Sequence, residues 1–220
     1  MNSGFISPLK KLLTQPLPGA KAQQLMAPAH RLSSEHYLRT VINYRKSSVL
    51  ILLHEKNNQF YFTLTLRQSY DGVHSGQVSF PGGKVDDTDL NHIATALREA
   101  NEEIGIPPES IEIIGELTQL YIPPSNFLVM PVVGFCKEIP HFKKSEKEVA
   151  EIIDVATSVL LDPSNRQYKI MDLSRGTNAD DLKAVNVPYF NIYGHHVWGA
   201  TAMMLSEFAE ILKQISPQNI

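Results

Sequence analysis

The residues with the most chemical potential in this chain lie in one short string, Arg98-Glu99-Ala100-Asn101-Glu102-Glu103. Ile93, Leu97, Ala100 and Ile104 recur around it at spacings of four, three and four, which predicts a helix over Asn91 to Ile104. Gly105 is the stop, and Pro107-Pro108 enforce the end. At about 100° of rotation per residue, the three glutamates fall within a sector of about 100°, and the apolar residues centre about 140° away. One face joins the core; the other presents three carboxylates. Like charges at these spacings repel by roughly 0.2–0.5 kcal/mol per pair, and the dipole of the C-terminal half of the helix opposes them too. A cation reverses that penalty, whereas a solvated face merely tolerates it. Gly82-Gly83 lies shortly upstream, in a segment that permits close approach of backbone to ligand. Oxygen ligands of this kind suit Mg²⁺ or Mn²⁺ and not zinc, for which no clustered His and Cys set is present.

The elements that must position this helix are read from apolar patterning. Ser47 to Leu53 and Phe60 to Arg67 are predicted as neighbouring strands joined at Lys56-Asn57-Asn58. Ser69 to Gly83 is rich in glycine, serine and proline and is expected to be turns without a regular element. Further strands are predicted at Ile111 to Leu117, Phe127 to Cys136 and Val149 to Ala156, with a short one around Tyr189 and a packing helix over Trp198 to Ile215. This order predicts a single α/β (α+β) domain over 30–220, with helices packed on a mixed sheet.

Composition bounds the partners. The 220 residues are 43% hydrophobic, ample for a core, and the net charge of −3 argues against nucleic acid as the ligand. The single cysteine, Cys136, is expected as a small buried residue, and a reducing, cytoplasmic setting fits it best. The longest apolar run, Phe127 to Cys136, is about half of what a bilayer-spanning helix needs, so no membrane segment is expected. Residues 1–29 lack the pattern of a secretory signal and are expected to be a surface tail that docks on the body and carries no chemistry. The oligomeric state stays open, a homodimer included.

Gly83 to Ile106 resembles the signature of the Nudix hydrolases: a glycine, five residues, Glu, seven residues, then Arg-Glu-U-x-Glu-Glu-x-Gly-U with U aliphatic. Arg98 to Ile106 matches the second half, taking Ala100 as the small apolar residue. The first half departs, with Asp89 in place of Glu and eight residues before Arg98. Upstream, Leu64, Thr65, Arg67, Gly76 and Phe80-Pro81-Gly82-Gly83 are similar to the motif of the coenzyme A pyrophosphatase-like branch. Thr63, Gln68 and Gly72 stand where that motif has Leu, Ser or Ala, and a second Arg.

The resemblance implies a Nudix-type mixed β-sheet sandwiched between helices, and a Mg²⁺- or Mn²⁺-dependent pyrophosphohydrolase acting on a small-molecule nucleotide. It implies Glu99, Glu102 and Glu103 as metal ligands, with the Gly82 carbonyl as a further one. Arg98 orients one of these carboxylates without touching substrate. Glu99, then Glu148, is the order of preference for the base that takes a proton from water; Glu151 is at a similar distance downstream. Glu148 follows the charged stretch Lys143 to Lys147, expected as a flap. Arg67, His74 and Gly83 are the candidates for substrate contact, Arg67 as a phosphate clamp or else a surface salt bridge. Asp86 and Asp89 hold a second metal or shape their loop. The branch implies coenzyme A or acyl-CoA as substrate. ADP-ribose, NADH or a nucleoside triphosphate are the alternatives, and a non-catalytic nucleotide sensor is a third.

Overall fold

The computed structural model describes residues 3–29, 31–68, 76–172 and 184–215. Strand β1 (Arg45–Lys56) turns into β2 (Gln59–Arg67) through Asn57 and Asn58, both with φ near +55°, the two-residue turn whose twist matches a hairpin. β1 also runs parallel to β7 (Phe127–Cys136) over ten paired positions, which makes the sheet mixed. Two short strands, β3 (Val78–Ser79) and β4 (Gly82–Lys84), lie within or at the end of the stretch expected as turns. β4 pairs with β1, placing Gly83 opposite Ser48 and Gly82 opposite Val49. The sheet is completed by β5 (Ile111–Glu116) and β6 (Leu120–Ile122) on β7, and by β8 (Val149–Ala156) on β2.

Helix α4 (His92–Ile104), the acidic helix of the sequence, packs on one face of this sheet. On the other face lie α1 (Ser3–Leu13) and α6 (Gly199–Leu212). Strand periodicity divides the core between them: Leu50 and Leu52 face Ala96, Ala100 and Ile104 of α4, and Ile51 and Leu53 join the cluster containing Phe5, Leu9 and Phe208. The result is the sheet sandwiched between helices that the sequence suggests. A second antiparallel sheet comprises β9 (Arg166–Asp172), β10 (Ala184–Ile192) and β11 (His195–Trp198). None of the described side chains of β9 is buried, and no apolar pattern announces it.

The expected surface tail is part of the core. Besides α1, residues up to 29 form α2 (Gly19–Gln24), and Phe5, Leu9 and Met26 are fully buried. Lys10 pairs with Glu112 of β5. Glu207, buried within α6, accepts hydrogen bonds from the Gly19 N–H, the Gln23 side chain and the Thr118 N–H, pinning this segment to the body. Cys136 is a buried free thiol. Among the described residues no helix is long and apolar enough to cross a membrane.

Candidate active site

Asn91 caps α4 by accepting from the Ala94 N–H, and Gly105 ends it at φ +74°. A Cβ on Gly105 would also meet the Lys143 backbone at 2.8 Å. The charged stretch expected as a flap is therefore anchored: the Lys143 and Ser145 N–H groups donate to the Ile104 and Glu103 carbonyls, satisfying orphan acceptors of the helix end. This connection delivers Glu148 to the start of β8, on the wall of a cavity of about 980 Å³.

The three helix glutamates are not equivalent. Glu103 is 2% exposed and belongs to the packed side of the helix, where the Gly82 N–H donates to its Oε2 at 3.2 Å and Arg67 approaches its Oε1 at 3.4 Å. Burial pushes its pKa up to about 7, against the opposing pull of Arg67 and the Gly82 N–H. Glu99 is half-buried and also raised, chiefly by burial, with Arg98 opposing. Glu102 is exposed and touches Arg98 at 3.3 Å. Glu99, Glu103 and Glu148 line the cavity together with Arg67, Gly82 and Gly83; Glu102 and Arg98 stand outside its lining.

The glycine pair makes this approach possible. A Cβ on Gly83 would sit 2.3–2.5 Å from the Glu99 carboxylate, and one on Gly82 would sit 2.4 Å from the Ser48 carbonyl oxygen. β4 thus lies against both β1 and the acids because neither residue carries a side chain.

Arg98 is tied by two bonds of 2.9 Å to Asp89, which is 4% exposed at its side chain, and by one of 3.0 Å to Glu99. The Asp89 hydrogen bonds raise the Arg98 pKa, and Arg98 holds Asp89 well below the usual carboxylate range. Asp89 also accepts from Thr95 of α4 and from the Asp86 N–H. The shifted acid of the signature therefore fixes the arginine that orients Glu99, and its loop is self-bonded through Asp86 and Thr88.

Arg67, proposed from sequence as phosphate clamp or salt bridge, is in an ion pair with Glu103 and also faces the cavity, with its Nε buried and unpartnered. Glu151 turns away to His195 at 3.5 Å. His74 lies outside the described residues. Arg31, which no sequence pattern marks, also lines the cavity.

The donors available to a cation are hard oxygens throughout, and Glu99 and Glu103 are repelled by Glu148 across the same space. That chemistry fits Mg²⁺-type ions. Among the described residues no three acidic, His or Cys side chains converge into a ready-made metal cage; Glu103 and Glu102 are paired with Arg67 and Arg98.

The NUDIX domain family model matches residues 44–172. The protein named "Uncharacterized Nudix hydrolase NudL" from Enterobacter sp. (strain 638) is 42% identical over 176 residues, covering 78% of this chain and 84% of its own. The protein of the same name from Escherichia coli (strain K12) is 37% identical over 175 residues, with 78% and 84% covered. A solved Nudix hydrolase from M. smegmatis, RenU, aligns over 79% of this chain and 88% of its own at 16% identity, with a TM-score of 0.49. The chain belongs to the Nudix hydrolase family. It is a hydrolase of pyrophosphate bonds in small nucleotide derivatives, a family that generally uses divalent metals such as Mg²⁺.

Proposed function

We propose that this hydrolase is a Mg²⁺- or Mn²⁺-dependent diphosphatase of coenzyme A or acyl-CoA, yielding 3′,5′-ADP and the (acyl-)4′-phosphopantetheine. The observation that carries the reading is the make-up of the cavity lining. It combines the mutually close Glu99, Glu103, Glu148 and Arg67 with the apolar side chains of Ile122, Phe127, Val129, Trp198 and Met204. A diphosphate flanked by a nucleoside and a long, mostly uncharged arm has that division of polarity.

Glu99, Glu102, Glu103 and the Gly82 carbonyl hold the ion in this proposal. When bound, the divalent ion neutralises the diphosphate and polarises its oxygens. Arg67 exchanges Glu103 for a phosphate oxygen, a move its cavity-facing guanidinium and unpartnered Nε support. Arg98, anchored on Asp89, keeps the Glu99 carboxylate in place without entering the cavity. Glu148 takes the proton from the attacking water: it lines the cavity, and no described side chain pairs with its carboxylate, whereas Glu99 is engaged by Arg98.

The test is incubation with Mg²⁺ and a panel of coenzyme A, an acyl-CoA, ADP-ribose, NADH and nucleoside triphosphates, with products separated by chromatography. Formation of 3′,5′-ADP with the highest kcat/KM of the panel supports the proposal. Preferential cleavage of ADP-ribose or NADH transfers the same chemistry to another substrate. Tight binding without turnover of any member points to a sensor.

A further inference from the structure

Three cationic side chains line the cavity, Arg31, Arg67 and Lys84. Arg67 is in contact with Glu103, and Lys84 is exposed at the rim. Arg31 differs from Arg67 in forming no ion pair with a carboxylate of the described residues, and from the exposed Lys84 in being half-buried; its Nη2 donates to the Tyr121 carbonyl at 2.6 Å, and its Nε, like that of Arg67, is buried without a partner. Burial pushes its pKa down, and Tyr37 nearby offsets this only in part. A guanidinium taken from water without a counter-ion is costly unless something else compensates the charge.

A second unpartnered group lines the same cavity. The Ser125 hydroxyl oxygen is buried without a hydrogen bond, and Ser125 lines the cavity with its neighbours Ile122 and Pro124. The segment carrying it is held rigidly from both sides. Arg31 binds the Tyr121 carbonyl, Arg45 binds the Ser125 carbonyl at 2.7 Å, and the Tyr121 hydroxyl donates to Asn126 at 2.9 Å. A half-buried cation and a buried hydroxyl, both short of partners and lining one cavity, are what a small oxyanion requires.

We infer that Arg31 and Ser125 form a subsite for a phosphate monoester that the substrate carries apart from its scissile diphosphate. The inference rests on the substrate reading above and narrows it: of the nucleotide diphosphates, the enzyme prefers those with a 3′-phosphate on the ribose. The subsite comes from outside the 44–172 span in the case of Arg31, so it adds a discriminating group to the family machinery. Neither residue touches the α4 carboxylates, which separates recognition from chemistry.

The experiment compares coenzyme A with its 3′-dephospho form, and 3′,5′-ADP with 5′-AMP. Binding of the two nucleotides is followed without turnover by the fluorescence of Trp198, the single tryptophan of the chain and itself a cavity residue. The expected result is a kcat/KM about 10- to 100-fold higher for coenzyme A than for the dephospho form, carried mainly by KM, and tighter binding of 3′,5′-ADP by a similar factor. Arg31→Gln, which keeps a polar side chain without the charge, removes both preferences. It leaves the dephospho substrate within about threefold of wild type, and Arg31→Lys restores part of the preference. Ser125→Ala shows a smaller loss in the same direction. An Arg31→Gln variant that lowers both substrates equally, or wild-type protein that binds 3′,5′-ADP and 5′-AMP alike, overturns the subsite. If neither coenzyme form is cleaved but Arg31-dependent preference for 3′,5′-ADP persists, the substrate reading fails and the subsite stands.

Discussion

Gly82 and Gly83 are adjacent, yet alanine at each must do opposite things. At Gly83 the atoms nearest the new methyl group would be those of the Glu99 carboxylate, at 2.3–2.5 Å. Ordinary contact begins near 3.4 Å, so the carboxylate must retreat by about 1 Å, which one side-chain rotation achieves. The fold loses little, within about 1 kcal/mol. Catalysis loses much, because a displacement of about 1 Å in a positioned group costs on the order of 100-fold. At Gly82 the methyl group would meet backbone, the Ser48 oxygen at 2.4 Å and the Val49 Cα at 2.6 Å. No rotamer relieves that, so β4 must separate from β1, at a cost of about 2–4 kcal/mol. Urea denaturation of the metal-free protein, paired with Mg²⁺-dependent turnover, separates the cases: Gly83→Ala is folded and slow, Gly82→Ala is unstable. Wild-type turnover in Gly83→Ala would refute the placement of Glu99, and unchanged stability in Gly82→Ala the strand pairing.

Other expectations follow from the same geometry. Asp89→Asn breaks the paired bonds to Arg98, so turnover falls about 10- to 100-fold and urea stability at neutral pH drops. Because the folded pKa of Asp89 is depressed by Arg98, its contribution is present above about pH 4 and lost as the pH falls toward the folded value; the variant should show a flatter acid limb. Glu103 is raised to about 7, so ionising it costs stability as the pH rises from about 4.5 through 7. Mg²⁺ binding near pH 6.5 should release protons, seen by calorimetry in buffers of different ionisation enthalpy, and its affinity should rise toward pH 8. Glu148→Gln should lower kcat by about 100-fold or more while Mn²⁺ affinity stays unchanged; Glu102→Gln should abolish turnover with little change in stability. Glu207→Leu strands three buried or half-buried donors and should cost about 3 kcal/mol by urea denaturation, with Glu207→Gln recovering part of it.

Much of the scaffold was legible because its signals are local. Asn91, the spaced apolar residues and Gly105 define α4 to within one residue, and Asn57-Asn58 defines the β1–β2 turn. What escaped depends on contacts distant in sequence. A helical projection puts Glu103 with the acids, but β4 and Arg67 cover it, so it is buried. Gly82-Gly83 reads as turn chemistry because a strand without side chains has no apolar period; pairing to β1 makes it one. In the N-terminal segment the signal was present: Phe5, Leu9 and Leu13 recur at spacings of four, although Pro8, Pro16 and Pro18 suggest an irregular tail. Glu151 and Glu148 are equally plausible bases by spacing, and only the strand's position relative to the cavity separates them. Arg31 has no pattern of any kind; its meaning comes from the wall it lines.

The most direct test is a crystal of this protein soaked in Mn²⁺ and measured at a wavelength where manganese scatters anomalously. A peak is expected among Glu99, Glu102, Glu103 and the Gly82 carbonyl, with the Arg67–Glu103 contact opened. Well-ordered glutamates still held by Arg67 and Arg98, with no peak between them at saturating Mn²⁺, would contradict the metal site.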